Sequence, residues 1–255
     1  MRPVLFSVGP LVIRSWGVFV GIGIIAGLFA ARRRAAELGI PSEKALDLAL
    51  YLTLGGFVGA RLLYLSFYPD RYLANPVEIF SVWEGGMSIH GGVLGGLAAG
   101  YIFVKRHGLP FWKTADLVAP SLILGQAIGR IGCFLNGDSY GLTTSVPWAV
   151  KFPSLSGLRH PTQLYEASLD LVAFIYLWSR RDKTSFDGEL LLVYAVSYSF
   201  IRGFVEFFRA SPKVLGPISP AQIASAAVIL VAGTAILLAK RRAASNAVAE
   251  RQRSA

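Results

Sequence analysis

The chain has 255 residues, of which 54% are hydrophobic and only 16% are charged, and its mean hydropathy is +0.53. The charged residues lie in clumps between long apolar runs, which excludes an ordinary soluble domain and indicates a polytopic membrane protein. The net charge of +10 would suit nucleic-acid binding, but the basic residues gather at the ends of apolar runs, so we expect no nucleic-acid partner. A single cysteine, Cys133, excludes an intrachain disulfide framework, and the histidines show no metal-ligand spacing.

Seven apolar runs are long enough to cross a bilayer, which takes about 20 mostly apolar residues in a helix. The first run has no basic cluster before it and the arginines of residues 32–34 directly after it. This reverses the charge order of a signal peptide, so we interpret the run as a membrane helix and expect no cleavable signal. The predicted fold is an all-α, polytopic integral membrane protein. Its predicted spans are residues 15–32, 45–66, 87–104, 116–136, 162–178, 189–208 and 220–239.

The basic residues of the connecting segments predict the orientation of these spans. With the N-terminus outside, 15 lysines and arginines fall in cytoplasmic segments and 7 in outer segments, as the positive-inside rule requires. We therefore expect the N-terminus outside and the C-terminus inside. Residues 1–239 are predicted to form a single transmembrane catalytic domain, and residues 240–255 a basic, disordered cytoplasmic tail.

Two outer segments, residues 66–86 and 136–163, are richer in Pro, Asn, Tyr and Trp than plain connectors. We predict that they lie in the interface or form a small extracytoplasmic cap. Trp83 and Trp148 in these segments suit the aromatic belt found where membrane proteins meet the headgroup region.

Glycines recur at every fourth position in several spans, a spacing that lets membrane helices approach closely. We interpret most of them as packing residues without a chemical role. They are Gly92, Gly96 and Gly100, with Gly91 and Gly95 beside them, and the pairs Gly17/Gly21, Gly55/Gly59 and Gly125/Gly129.

Three arginines, Arg61, Arg130 and Arg202, fall inside spans two, four and six, each toward the predicted outer end. An arginine at mid-depth costs about 2.5–3.5 kcal/mol on insertion scales. Three such groups at similar depth predict a shared site for a phosphate or carboxylate, although each could instead snorkel to the headgroups. Glu206 and Arg209 follow Arg202 on the same helical face, so Glu206 can neutralise and orient Arg202 or form a purely structural pair.

Other polar residues lie near the predicted outer ends of the spans. His90 can act as a general base or hydrogen-bond to a neighbouring backbone group. Asn136 and Asp138 can bind hydroxyls or amides, and Asp138 can pair with an arginine. We expect Cys133 to behave as a small hydrophobe rather than a nucleophile. The stretch RHPTQLYEA, residues 159–167, reads as a polar, capped start of span five.

Taken together, VWEGGMSIHGG, GRIGCFLNGDSYG, RHPTQLYE and RGFVEFFR resemble the prolipoprotein diacylglyceryl transferase family, and the earlier SVGPLVIRSWG and GGFVGARLLY fit it too. The resemblance runs from about Phe6 to Leu238. It implies an enzyme of the bacterial cytoplasmic (inner) membrane, and we expect no cofactor or metal. Because Arg61, His90, Arg130 and Arg202 fall toward predicted outer ends, we expect the active site toward the outer leaflet. The implied partners are phosphatidylglycerol and prolipoprotein signal peptides with a lipobox cysteine. The diacylglyceryl group moves to the cysteine thiol, and glycerol-1-phosphate leaves.

The resemblance also implies roles for individual residues. Arg130 and Arg202 match the arginines that handle the phosphate, and His90 matches the histidine proposed as the base. The substrate-binding positions that it implies or that the residues suggest are Trp16, Arg61, Asn136, Asp138, Gly141 and Glu206.

The chain departs from the family pattern at three places. Cys133 stands where Asn is common, Trp16 where many members have Tyr, and Asp138 where Glu is commoner. Two other classes of function remain open. An anion or lipid transporter would also use intramembrane arginines, but no inverted repeat is evident. An intramembrane hydrolase would be expected to show a G-x-S-x-G elbow or an aspartate pair, and neither is evident.

Overall fold

A computed structural model describes residues 1–8, 11–81, 85–153 and 155–253. Trp83, predicted for the aromatic belt, lies outside these residues. Helices dominate the described chain. In order they are α1 (Ser15–Glu37), α2 (Ser42–Ser66), α3 (Pro69–Ala74), a 3₁₀ helix (Pro76–Phe80), α4 (Ile89–Arg106), α5 (Phe111–Asn136), α6 (Thr162–Arg180), α7 (Glu189–Val205) with a 3₁₀ turn (Glu206–Phe208), and α8 (Pro220–Arg253).

Two short antiparallel hairpins complete the secondary structure. Strands β1 (Val4–Val8) and β2 (Leu11–Arg14) precede α1, and β3 (Val150–Lys151) pairs with β4 (Leu158–Arg159) between α5 and α6. The second hairpin lies in one of the two segments predicted as a cap, and α3 with the first 3₁₀ helix lies in the other.

Seven long helices occur at the seven predicted positions, which confirms a helical, multi-pass membrane protein. Among the described residues, five helices are long and apolar enough to cross a bilayer: α1, α2, α5, α7 with its 3₁₀ turn, and α8. The other two are α4, which has 18 residues and ends in Lys105 and Arg106, and α6, which carries Glu166 and Asp170 in its interior. Seven spans therefore remain a prediction.

The helix α8 continues through Arg253, whereas the sequence predicted a disordered tail from residue 240. The residues concerned are rich in Ala and Arg, which have high helix propensity and extend a helix already begun in the apolar run.

The chain divides into two compact units, Met1–Ala31 with Ala115–Ala255, and Arg32–Thr114. In the first unit, α5, α6 and α7 enclose the hydrophobic core, and α8 packs on α7. The core residues are Ala119, Ile123, Ala173, Leu177, Leu190, Ile201 and Val205.

Glycines also let α1 and α5 approach closely within the first unit. A Cβ added at Gly23 would lie 3.0 Å from the carbonyl oxygen of Gly125, and one at Gly27 would lie 3.1 Å from that of Ser121. Gly125 is thus confirmed as a packing residue. At Gly17, Gly21 and Gly129 an added Cβ would meet no described atom within 4 Å, so these three are not at close helix contacts among the described residues.

In the second unit, α2 packs along α4 through facing glycines. A Cβ at Gly59 would lie 2.7 Å from the Cα of Gly95, and one at Gly55 would lie 2.8 Å from the Gly95 carbonyl oxygen. The closest approach thus uses Gly55 and Gly59, as predicted, and Gly91 and Gly95. Gly92, Gly96 and Gly100 have the same four-residue spacing as Gly91 and Gly95. The spacing alone therefore cannot predict which of these two sets of glycines makes the closest contact.

Candidate active site

Arg130 and Glu166 form an ion pair between the last turns of α5 and the first turn of α6. The Arg130 Nη2 donates a hydrogen bond of 2.6 Å to Oε1 of Glu166, whose side chain is 1% exposed. A carboxylate buried to this degree requires a charged partner, because desolvation disfavours the lone anion strongly. The pair therefore balances the charge of the buried Glu166 carboxylate and fixes the direction of Arg130.

A second pair lies at the end of α7. The Arg202 Nη1 donates to Oε2 of Glu206 at 2.5 Å, and the Glu206 side chain is also 1% exposed. The four-residue spacing places the two side chains one above the other on the helix. The structure thus confirms the pairing predicted from the sequence.

The chain turns away from α7 directly after Glu206. The helix tightens into its 3₁₀ turn, and Arg209 leaves it in an extended conformation. The Arg209 Nη1 comes within 3.8 Å of Oε2 of Glu166, so Glu166 lies between two guanidinium groups. Burial and the neighbouring guanidiniums of Arg202 and Arg130 lower the pKa of Arg209 from its usual value.

We call these five residues, Arg130, Glu166, Arg202, Glu206 and Arg209, the arginine cluster. Three guanidiniums face two carboxylates, so the cluster has a net positive charge. Guanidinium groups that are already oriented by carboxylates are suited to bind a phosphate through parallel N–H donors. Among the residues that the structure describes, no group of three His, Cys, Asp or Glu side chains is arranged to hold a metal ion.

The loop that follows α5 is held by the first residues of α6. The carbonyl oxygen of Asp138 accepts a hydrogen bond of 2.5 Å from Gln163 Nε2, and that of Ser139 accepts one of 2.9 Å from Thr162 Oγ1. The Asp138 carboxylate accepts a hydrogen bond of 2.6 Å from Asn136 Nδ2. Asn136 therefore takes the place of the arginine partner that the sequence suggested for Asp138.

Gly141 brings this loop against the end of α7. Its N–H donates to the carbonyl oxygen of His160 at 3.0 Å, and the next N–H, of Leu142, donates to that of Phe208 at 2.8 Å. A Cβ at Gly141 would lie 2.7 Å from the Phe208 carbonyl oxygen, closer than real Cβ atoms come. Only glycine fits here, and the contact sets the backbone beside Arg209, with which Gly141 forms a β-bridge.

Comparison with known proteins identifies the family of the chain. The family model described as prolipoprotein diacylglyceryl transferase matches residues 3–238. A protein from Trichormus variabilis is 36% identical over 94% of this chain and 91% of its own length. One from Geobacter sulfurreducens is 38% identical over 94% and 96%, and one from Bacillus cereus strain G9842 is 35% identical over 93% and 92%. All three are named phosphatidylglycerol–prolipoprotein diacylglyceryl transferase.

The chain belongs to the prolipoprotein diacylglyceryl transferase family. The resemblance noted in the sequence is thereby confirmed over nearly the whole chain. Within this family member, the first unit contains Arg130, Arg202 and Glu206 of the predicted site, together with the loop residues Asn136, Asp138 and Gly141. Trp16, at the start of α1 in the same unit, is 48% exposed. Its Cα would lie 3.3 Å from a Cβ added at Gly132.

The second unit contains the other two predicted site residues. His90 is the second residue of α4, and its side chain is exposed. Arg61 is buried near the end of α2 and donates four hydrogen bonds to backbone carbonyls of residues 78–86. These contacts tie α2 to the segment before α4, and the role of headgroup ligand that the sequence predicted for Arg61 stays a prediction.

Sequence reasoning missed Glu166 as the partner of Arg130, because it interpreted the start of α6 as a capped helix. The residue before the helix is Pro161, and no side chain caps the helix there. Thr162, Gln163 and Glu166 are each 1% exposed and point their polar groups at the loop and the arginines. Glu166 follows Thr162 by four residues and Gln163 by three, so it is a helical neighbour of both, and this spacing is the signal that could have identified the face as part of the site.

Proposed function

We propose that this protein transfers the diacylglyceryl group of phosphatidylglycerol to the thiol of a lipobox cysteine in a prolipoprotein. The family membership supports the reaction, and each relative described above is named for it. The observation in the structure that carries the proposal is the arginine cluster, a partly enclosed group of guanidiniums with a net positive charge. A transporter remains without support from these relatives.

The reaction requires one bond to form and one to break. The thiol sulfur of the prolipoprotein attacks the carbon of the diacylglyceryl group that is bonded to the phosphoester oxygen. The C–O bond breaks with its electron pair on the oxygen, a C–S thioether bond forms, and glycerol-1-phosphate leaves. The thiol proton passes to a base, for which we propose His90, because a thiolate is the competent nucleophile.

The guanidiniums are suited to the charge that develops during this reaction. As the C–O bond breaks, negative charge grows on the phosphate, and donors positioned beforehand stabilise it at no cost of reorganisation. We assign Arg130 and Arg202 to the phosphate. Glu166 and Glu206 then act as positioning residues, since each is buried and holds one guanidinium in place.

The loop residues are proposed to complete the substrate-binding surface of the first unit. Asn136 and Asp138 carry polar side chains suited to a glycerol headgroup, and Gly141 holds their loop against the end of α7. Trp16 offers an exposed indole at the start of α1, a position that suits a lipid headgroup region.

We further propose seven spans in the bacterial cytoplasmic membrane, with the N-terminus outside, a cap from residues 66–86 and 136–163, and the site toward the outer leaflet. The distribution of basic residues supports this orientation. The family match ends at residue 238, which supports assigning catalysis to residues 1–239 and not to residues 240–255. Cysteine-accessibility mapping tests the orientation, and labelling of residue 130 only from the cytoplasmic side would contradict it.

The direct test of function is incubation of the purified protein with phosphatidylglycerol and a synthetic lipobox peptide. We expect the peptide mass to rise by one diacylglyceryl group, with release of one glycerol phosphate per modified peptide. A peptide with serine in place of the lipobox cysteine is the matched control and should stay unmodified. If folded protein leaves the cysteine peptide unchanged in the presence of lipid, the proposed function is wrong.

A further inference from the structure

The guanidinium of Arg61 is surrounded by carbonyl oxygens of the segment that leads into α4. Its Nε donates to Ile79 at 2.9 Å and its Nη2 to Glu78 at 2.5 Å. Its Nη1 donates to Gly85 at 2.8 Å and to Gly86 at 2.9 Å. Four of the five N–H groups of a guanidinium are thus used within this segment, and Arg61 is 7% exposed.

Two further contacts tie the same segment to α2. The backbone N–H of Ser88 donates to the carbonyl oxygen of Ala60 at 3.0 Å. Gly86 adopts a positive φ of +77°, and a Cβ at this position would lie 2.6 Å from Nη1 of Arg61. The glycine is therefore required both by its backbone conformation and by the closeness of the guanidinium.

We propose that Arg61 is a positioning residue that fixes the residues before α4 and thereby the place of His90. This inference rests on the proposed function, in which His90 accepts the thiol proton. His90 lies two residues after Ser88 and four after Gly86, so a shift of this backbone moves the imidazole directly. A headgroup ligand would need free donors, but the contacts with described residues leave Arg61 one N–H.

The first test is the variant Arg61→Lys. A lysine keeps the charge but presents three donors from a single atom, so it cannot reach four carbonyls spread around the edge of a planar guanidinium. We expect turnover to fall by about 10- to 100-fold, as misplacement of a catalytic group by about 1 Å does, while the KM for phosphatidylglycerol stays nearly constant. A large rise in KM at unchanged turnover would overturn the proposal and identify Arg61 as a lipid ligand.

Arg71→Lys is the matched control. Arg71 is exposed and contacts the same Glu78, but through the side-chain carboxylate at 2.8 Å. Loss of an exposed pair is expected to change turnover by no more than about twofold.

A double-mutant cycle shows whether Arg61 acts through His90. If it does, Arg61→Lys should add little to the defect of His90→Asn, because the misplaced group is already absent. Independent, multiplying defects would contradict the inference. If His90→Asn alone left the rate unchanged, the base role in the proposed function would fail, and the next measurement would decide the positioning role by itself.

That measurement is the labelling rate of a cysteine next to His90. Ile89 is 75% exposed, so Ile89→Cys, with Cys133 replaced by Asn, should react readily with a maleimide. We expect Arg61→Lys to change this rate in membranes, with Arg71→Lys as control. Gly86→Ala should have the same effect as Arg61→Lys, because its Cβ displaces the guanidinium, and it serves where Arg61→Lys fails to fold. An unchanged labelling rate in folded Arg61→Lys, or in folded Gly86→Ala, would overturn the proposal.

Discussion

Arg130 and Arg61 both lie in apolar helices, but the groups that stabilise their charge differ. Arg130 faces the buried carboxylate of Glu166, whereas Arg61 faces four backbone carbonyl oxygens. A carboxylate balances the charge with one contact and leaves donors for a ligand, and the side chain of Arg130 is 19% exposed. At Arg61, backbone carbonyls accept hydrogen bonds from nearly all the guanidinium donors, and the residue holds the segment before α4. Burial of an arginine alone thus does not show whether it binds a ligand or holds the structure, and its hydrogen-bond partners are needed to decide.

The largest expected effect comes from removing the planar fork in the arginine cluster. Arg130→Lys or Arg202→Lys keeps the charge but loses the paired donors. We expect transfer to slow by about 10²–10³-fold, the usual result of losing one donor at a developing anion. Lipid binding should change much less, since the donors matter most as phosphate charge develops. The measurement is steady-state transfer at varied phosphatidylglycerol together with lipid binding by the same variants, and normal turnover would exclude the phosphate role.

The carboxylates of the cluster should give the next largest effect. Hydrogen bonds to charged groups contribute about 1.5–3 kcal/mol, so Glu206→Gln should slow transfer by about tenfold or somewhat more. Glu166→Gln should have the greater effect, because Glu166 contacts both Arg130 and Arg209. Turnover of the two variants, measured side by side with their melting temperatures, tests this ranking. Equal and negligible defects would show that the arginines keep their orientation without carboxylates.

Gly141→Ala tests how far the loop after α5 depends on close approach to the end of α7. The new Cβ would lie 2.7 Å from the carbonyl oxygen of Phe208. We expect a loss of stability of about 1–3 kcal/mol, as for other overpacked positions, measured by thermal unfolding in detergent. Gly129→Ala is the control, because an added Cβ there meets no described atom within 4 Å. Equal melting temperatures for the two variants would contradict the tight contact at Gly141.

His90→Gln separates an assisting base from an indispensable one. A general base acts in its deprotonated form, so a base role predicts that the wild-type rate rises with pH. We expect the variant to lose most of this rise and to keep a slow residual rate. A variant with the wild-type rate and the wild-type pH profile would show that the proton goes elsewhere.

The sequence predicted the helices because long apolar runs signal spans directly, and it predicted the Arg202–Glu206 pair because four residues make one helical turn. It could not predict the Arg130–Glu166 pair, whose members are 36 residues apart and meet only when α5 packs on α6. The contacts of Arg61 could not be predicted either, because its partners are backbone carbonyl oxygens, which every residue has. Motif positions thus identified the candidate residues, while tertiary packing decided which of them contact each other.

The smallest expected effect concerns Cys133, a half-buried residue beside Arg130 in the last turns of α5. The thiol beside a guanidinium resembles an activated nucleophile, but the proposed reaction takes its sulfur from the prolipoprotein and leaves no step for an enzyme thiol. The backbone carbonyl of Cys133 accepts bonds from Gly137 and Asp138 N–H groups, and any residue at this position keeps these contacts. Cys133→Asn, which introduces the residue common in the family, should therefore change transfer by no more than about twofold. Cys133→Ala should behave alike, since neither variant disturbs the carboxylate that holds Arg130. Loss of transfer in both variants, with folding and lipid binding intact, would mean that the Cys133 thiol takes part in the chemistry. The contrast between Arg130 and Arg61 would then leave out a group that reacts.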